Sequence, residues 1–390
     1  MQMIAKDKYI KQYQNDLFVD YLPFLENHII DHENGGFMCH ANWKGELLDR
    51  HKRAWFDGRG IWVYSFLYSH VKKDVKYLDV AAKTVDLVFS NRPTNQEFWP
   101  WMYDEKGNDL ELRAPDIYGN LFIAEGLTAY SQAIDDMAYW NLAKDITMAA
   151  LNKYDAEDYS FVPHYESDLS QFKAPRVLGH WMVFLRIASQ LLAIKEDSEL
   201  LALTDRCIKS LLDHHLESHC NLMVEYRHHD LSAMDEPWND FVYIGHGIEV
   251  AWMIMEEAIR REDKGLYDKA KSIFRRHLEV AWDDVYGGVF HECQHIGKND
   301  WILDKLLWAQ EEVLVGLMLI IEHSSDQWAI EWFEKAYQYT VSHFSLAKYD
   351  IPLWNIGGNR WVDFDGTGIR IENYHHPRHL MINLLRLQRL

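Results

Sequence analysis

A short turn segment rich in glycine and aromatic residues recurs six times along this chain, and the recurrence constrains the fold more than any other feature. It reads Asn34-Gly-Gly-Phe-Met38, Phe98-Trp-Pro-Trp-Met102, Tyr159-Ser-Phe-Val-Pro163, Asn221-Leu-Met-Val-Glu225, Tyr286-Gly-Gly-Val-Phe290 and Trp354-Asn-Ile-Gly-Gly358. Successive copies lie roughly 60–70 residues apart, a spacing suited to a repeated supersecondary unit. Between copies the apolar residues recur with helical periodicity. Helices are expected at about 8–31, 51–70, 73–91, 116–135, 138–153, 176–195, 197–215, 240–261, 265–281, 304–322, 326–344 and 375–390. The helix after each turn segment is the more apolar of its pair, as in Gly119-Asn-Leu-Phe-Ile-Ala-Glu-Gly-Leu127 and Leu306-Leu-Trp-Ala-Gln-Glu-Glu-Val-Leu314, whereas the helix before it carries more charge. Apolar helices belong inside and charged-faced ones outside. The expected fold is therefore all-α: an (α/α)6 barrel of six inner and six outer helices, with short β-hairpins and long loops at one end. No Pro-, Gly- or Ser-rich linker divides the chain, so residues 1–390 are read as a single domain.

Composition narrows the function classes. The formal net charge is -20, which repels phosphate backbones and argues against nucleic acid as a partner. The longest apolar run, Val313 to Ile321, is too short to span a bilayer, and the N-terminus has no apolar signal-peptide core, so no membrane partner is expected. The four cysteines, Cys39, Cys207, Cys220 and Cys293, show no metal or disulfide spacing and fit a reducing cytoplasm. Sixteen Trp and 21 Tyr suit a pocket for an amphipathic ligand such as a sugar.

The repeat order places every turn segment at the N-terminus of an inner helix, so the barrel gathers six loops and six helix N-termini at one mouth. The first turns there carry Lys52, Trp55, Arg59 and Trp62; Asp116, Tyr118 and Asn120; His180; His246 and Glu249; Trp308, Gln310 and Glu312; and Tyr374, His375, His376 and Arg378. In Tyr243-Ile-Gly-His-Gly-Ile-Glu-Val-Ala-Trp252, His246 and Glu249 share one face of a helix that is otherwise apolar. Histidines, glutamates and arginines converging from distant parts of the chain point to a functional pocket. His376 neighbours His375 and cannot share its direction. His214, His215, His228 and His229 fall on outer or loop stretches and are read as solvated. No metal is expected among His180, His246 and His375.

These residues carry a family resemblance. Lys52-Arg-Ala-Trp-Phe-Asp-Gly-Arg59-Gly-Ile-Trp62-Val-Tyr64, Gly245-His-Gly-Ile-Glu249, Lys305-Leu-Leu-Trp308-Ala-Gln-Glu-Glu312 and Tyr374-His-His-Pro-Arg378 stand in the order of motifs in the N-acylglucosamine 2-epimerase family. The chain resembles that family, a group of sugar epimerases and isomerases on (α/α)6 barrels, over most of its length. The resemblance implies His246 and His375 as the catalytic histidines, with Arg59 and the acidic residues Glu249 and Glu312 in the substrate site. Glu249 is read as orienting its histidine, and Arg59 as stabilising an enediolate oxygen. Trp55, Tyr118, Asn120, His180, Trp308 and Arg378 complete the expected sugar-binding set. The Gly-Arg and Pro-Arg forms resemble the N-acylglucosamine branch, whereas His180 resembles the cellobiose or isomerase branches.

The implied reaction is 2-epimerisation of N-acyl-D-glucosamine and N-acyl-D-mannosamine. One histidine removes the C2 proton of the ring-opened sugar and a second returns it from the opposite face. Aldose–ketose isomerisation and 2-epimerisation of mannose, glucose or cellobiose remain alternatives. A glycoside hydrolase on the same barrel would use two carboxylates and leave the histidines without a role. The chemistry requires no cofactor. The resemblance leaves ATP open as a regulator, although the chain has no P-loop, and it implies a homodimer.

Overall fold

The computed structural model describes residues 4–390 apart from 91, 94–97, 113–114, 162–172 and 325. Val162 and Pro163 of the third turn segment thus lie outside the described residues. Twelve helical stretches run in six pairs among the described residues. The outer set is α1 (Lys6–Asn15, a π-wound stretch Asp16–Tyr21, then Leu22–His28), α3 (Val75–Ser90), α5 (Met137–Asp155), α7 (Ser198–Lys209, continued by Ser210–His215), α9 (Lys264–Ala281) and α11 (Gln327–Phe344). The inner set is α2 (Ala54–Phe66, continued by Leu67–Val71), α4 (Ile117–Ile134), α6 (Leu178–Ile194), α8 (Ile244–Arg260), α10 (Leu307–Ser324) and α12 (His375–Arg389). Each inner helix packs on the next. α12 returns to the last turn of α2 and α1 packs over α12, closing an (α/α)6 barrel.

Five of the six inner helices begin later than the apolar periodicity suggests, and α12 begins at His375 as expected. Four of them are preceded by a two-residue strand: Lys52–Arg53, Arg176–Val177, Val242–Tyr243 and Lys305–Leu306. These strands pair with Met102–Tyr103, Tyr226–Arg227, Glu292–His295 and Gly357–Gly358, respectively. Every partner lies in the turn region of the following pair. The helical pattern of side chains runs through the junction, but the backbone groups there hydrogen-bond sideways and lace neighbouring units around the mouth.

Two of the turn regions are built alike. After α1, Asp31 and Gly36 close a turn with Gly35 and Gly36 at φ +82° and +83°; after α9, Asp283 and Gly288 do the same with Gly287 and Gly288 at +81° and +76°. Glycine takes this left-handed conformation without a Cβ clash. A fully buried lysine from the strand before the next inner helix fastens each turn. Lys52 Nζ donates to Asp31 Oδ2 (2.8 Å) and the Gly35 carbonyl (2.6 Å); Lys305 Nζ donates to Asp283 Oδ2 (3.0 Å) and the Gly287 carbonyl (2.5 Å). Burial would raise the Asp31 pKa, but Lys52 and the Asn34 contacts outweigh it and hold it at about 2.

One hydrophobic cluster runs from Tyr9 to Leu387. The closest inner crossing is α2 on α4, where a Cβ on Gly58 would stand 2.4 Å from the Phe122 carbonyl carbon and one on Gly126 would stand 2.5 Å from the Gly58 oxygen. Along the barrel axis a polar plug separates two cavities. Its centre is Glu125, which accepts hydrogen bonds from Arg186 Nε (2.5 Å) and the Tyr374 hydroxyl (2.8 Å).

Candidate active site

The cavity at the mouth has a volume of about 400 Å³, and all six inner helices line it near their N-termini. α2 contributes Trp55 and Arg59, α4 Tyr118, α8 His246 and Glu249, α10 Trp308, and α12 His375 and Arg378; Arg186 of α6 forms part of the floor. Gly245 makes room for the wall, since a Cβ there would lie 2.2 Å from the Trp308 ring. The Trp308 ring packs on both imidazoles, with centroids 5.7 Å from His246 and 5.3 Å from His375.

Each imidazole is held through Nδ1 by a glutamate. His246 Nδ1 lies 2.9 Å from Glu225 Oε1, and His375 Nδ1 lies 3.0 Å from Glu312 Oε1. Proton counting assigns the His375 tautomer. Arg378 Nη2 contacts Glu249 Oε1 (2.6 Å), Glu312 Oε1 and His375 Nδ1 (3.1 Å). It has two hydrogens, and the two carboxylates take both. His375 Nδ1 therefore carries the proton and donates it to Glu312, leaving Nε2 as the basic nitrogen.

The two histidines differ in charge preference. Burial would lower the pKa of His246, but the Glu225 carboxylate outweighs it and the net shift is upward. Burial, reinforced by the Arg378 and Arg59 guanidiniums, pushes His375 down to about 3. The cavity thus holds one imidazole shifted toward the cation and one shifted toward the neutral base, the division of labour required of an acid and a base.

Arg59 lies over three rings, with its guanidinium carbon 4.0 Å from the Phe122 centroid, 4.6 Å from Tyr374 and 5.0 Å from Trp55. Three expected sugar contacts stand behind the wall instead. Asn120 Oδ1 accepts the Trp99 backbone N–H (2.8 Å). His180 is fully buried among Phe161, Tyr118 and Tyr154, at centroid distances of 4.5, 4.8 and 5.3 Å. Glu312, fully buried, is taken by His375, Arg378 and the Trp252 indole N–H (2.7 Å). Glu249 does line the cavity, but it hydrogen-bonds Arg378 (2.6 Å) and reaches His246 through its charge alone. Helical spacing places two side chains on one face and does not choose their partners. His215, expected in solvent, is fully buried with Nδ1 2.8 Å from the Val224 carbonyl oxygen.

Glu225, Arg370 and Glu372, on loops without helical periodicity, and Tyr243, on the strand before α8, were not read as site residues from the sequence. Glu372 lines the cavity and accepts the backbone N–H groups of Tyr374 and His375 (2.8 Å each). Burial would raise its pKa, but His375, Arg370 and Arg59 hold it at about 2. A carboxylate three residues before the first helical residue was the available signal.

A sequence model described as N-acylglucosamine 2-epimerase (GlcNAc 2-epimerase) matches residues 35–355. The N-acylglucosamine 2-epimerase of Mus musculus is 22% identical over 344 residues, covering 84% of this chain and 80% of that protein. The cellobiose 2-epimerase of Bacteroides fragilis is 23% identical over 420 residues, covering 97% and 99%. A sugar epimerase from a ruminal bacterium shares the fold with a TM-score of 0.82 at 17% identity, covering 97% of this chain and 98% of that one. A D-mannose isomerase does so with a TM-score of 0.80 at 16% identity over the full length of both chains.

Proposed function

The chain belongs to the N-acylglucosamine 2-epimerase family of sugar epimerases, and from that premise we propose that the mouth cavity interconverts N-acyl-D-glucosamine and N-acyl-D-mannosamine. The observation that carries this reading is the pair of glutamate-anchored imidazoles with opposite charge preferences in one cavity. The sugar reacts in its open-chain form, where the C1 carbonyl acidifies the C2 proton. His375 Nε2 takes that proton and the electron pair moves into the C1–C2–O1 system as an enediolate. Arg59, whose nearest neighbours are aromatic rings, supplies positive charge to the enediolate oxygen. His246, protonated beside Glu225, delivers a proton to the other face of C2. The reverse reaction starts with the proton on His375 and the free base on His246. Glu225 and Glu312 hold the two rings, Glu249 and Arg378 fix the floor, and Trp55, Tyr118 and Trp308 pack on the sugar. No redox step occurs, so the chemistry needs no cofactor. Unbridged cysteines support a reducing, cytoplasmic setting.

Aldose–ketose isomerisation is the second reading, because the same base serves a C2-to-C1 transfer. The test is proton NMR in D2O with N-acetylmannosamine, N-acetylglucosamine, mannose, glucose and cellobiose offered separately, with and without ATP. A C2 epimer of an N-acyl sugar supports the proposal. An epimer of mannose, glucose or cellobiose alone moves the substrate to another branch, and a ketose moves the reaction to the isomerases.

A further inference from the structure

Behind His375, at the seam where α1 closes the ring, lies a second group of ionisable side chains that the proposed reaction does not use. Glu311 of α10 meets His376 and His379 of α12. The two histidines stand three residues apart and so share one side of their helix. All three residues are buried, and one ligand atom from each lies within 4.8 Å of the others. His376 Nδ1 is 2.5 Å and His379 Nδ1 3.5 Å from Glu311 Oε1. Among the described residues Glu311 Oε2 has no hydrogen-bond partner, and His379 Nδ1 has only its long contact with Glu311 Oε1. His379 Nε2 is held by the Tyr13 hydroxyl at 3.1 Å, which fixes the ring with Nδ1 toward Glu311.

We propose that Glu311, His376 and His379 bind a divalent transition-metal ion of the zinc type, with a structural role at the barrel seam. Two imidazole nitrogens and one carboxylate are the donors such an ion selects. The neighbouring group of Glu249, Glu312 and His375 has two carboxylates and one imidazole, and there the Arg378 guanidinium supplies the cation. Among the described residues, Glu311 pairs with the two histidines and with no lysine or arginine. A dication with one carboxylate leaves one positive charge. Asp16, in the π-wound stretch of α1, acts electrostatically on His376 and balances it.

The test uses the full chain, free of affinity tag, stripped with EDTA and dialysed. Zn2+ and Co2+ are then added separately, with bound metal measured by elemental analysis after equilibrium dialysis. The proposal expects one equivalent bound at micromolar free metal, a rise in melting temperature of about 5 °C, and Co2+ d–d absorption of a low-coordinate nitrogen/oxygen site. His379→Gln and the His376→Gln/His379→Gln pair, each checked for folding by circular dichroism, lose the bound equivalent. Should they fail to fold, X-ray absorption of the Zn2+ form of the unaltered protein decides, by showing two imidazoles or not. His375→Asn retains the metal. Substoichiometric binding by the unaltered protein overturns the proposal. So does metal retained by a folded double variant, or lost in His375→Asn, which would place the ion in the catalytic group.

Discussion

His246 and His375 are the same side chain in the same cavity, and their surroundings make them different reagents. The upward shift of His246 depends on the charge of Glu225. Glu225→Gln keeps the shape and removes that charge, so the pKa of His246 falls and its protonated form disappears at a lower pH. In the direction that uses His246 as the acid, kcat/KM declines as pH rises through that pKa. The alkaline limb of the profile is expected to move to lower pH in Glu225→Gln, read from kcat/KM between pH 5 and 9. An unmoved limb would separate Glu225 from the chemistry. The acid limb belongs to His375 and lies near its value of about 3, below the range in which the protein is assayed. His375→Ala removes the base and is expected to lower kcat by about 10²–10⁴-fold, with sugar binding by calorimetry retained. Residues on helical first turns, such as Arg59, His246, Trp308 and His375, could be placed from sequence because periodicity aims them. Glu225 and Glu372 could not, because a loop path has no period. His376 stood in the sequence as a neighbour of His375, but His379 and their partner Glu311, at the edge of the apolar run of α10, were not singled out.

At the scale of elements, close approach and buried lysines set the frame that holds those side chains. Gly58→Ala puts a methyl group against the backbone of α4, which cannot rotate away as a side chain can. It is expected to destabilise the fold by about 1–3 kcal/mol, measured by urea denaturation, and to shift Arg59, its sequence neighbour. Lys52→Met leaves Asp31 buried without its cation and is expected to cost about 3–5 kcal/mol. Asp31→Asn added to Lys52→Met should recover part of that loss, since the uncompensated charge is then gone. The twelve helices and their inner and outer assignment followed from apolar content. The short strands before the inner helices did not, because four residue pairs switch to lateral hydrogen bonding while their side chains keep the helical pattern.

For the whole molecule, the ring brings residues from Trp55 to Arg378 into one cavity, and its core is continuous from Tyr9 to Leu387. We expect the chain to unfold in a single calorimetric transition. Two resolved transitions would divide what is read here as one unit. No described helix is long and apolar enough to cross a membrane. The central claim is that two histidines act on opposite faces of C2, and isotope exchange at first turnover tests it most directly. N-acetylmannosamine is incubated with enzyme in D2O and followed by NMR before equilibrium. The two-histidine account predicts N-acetylglucosamine carrying deuterium at C2 while unreacted N-acetylmannosamine keeps its proton. Product that retains the original C2 proton, or equal exchange into both sugars, would contradict it and leave a single base to do the work.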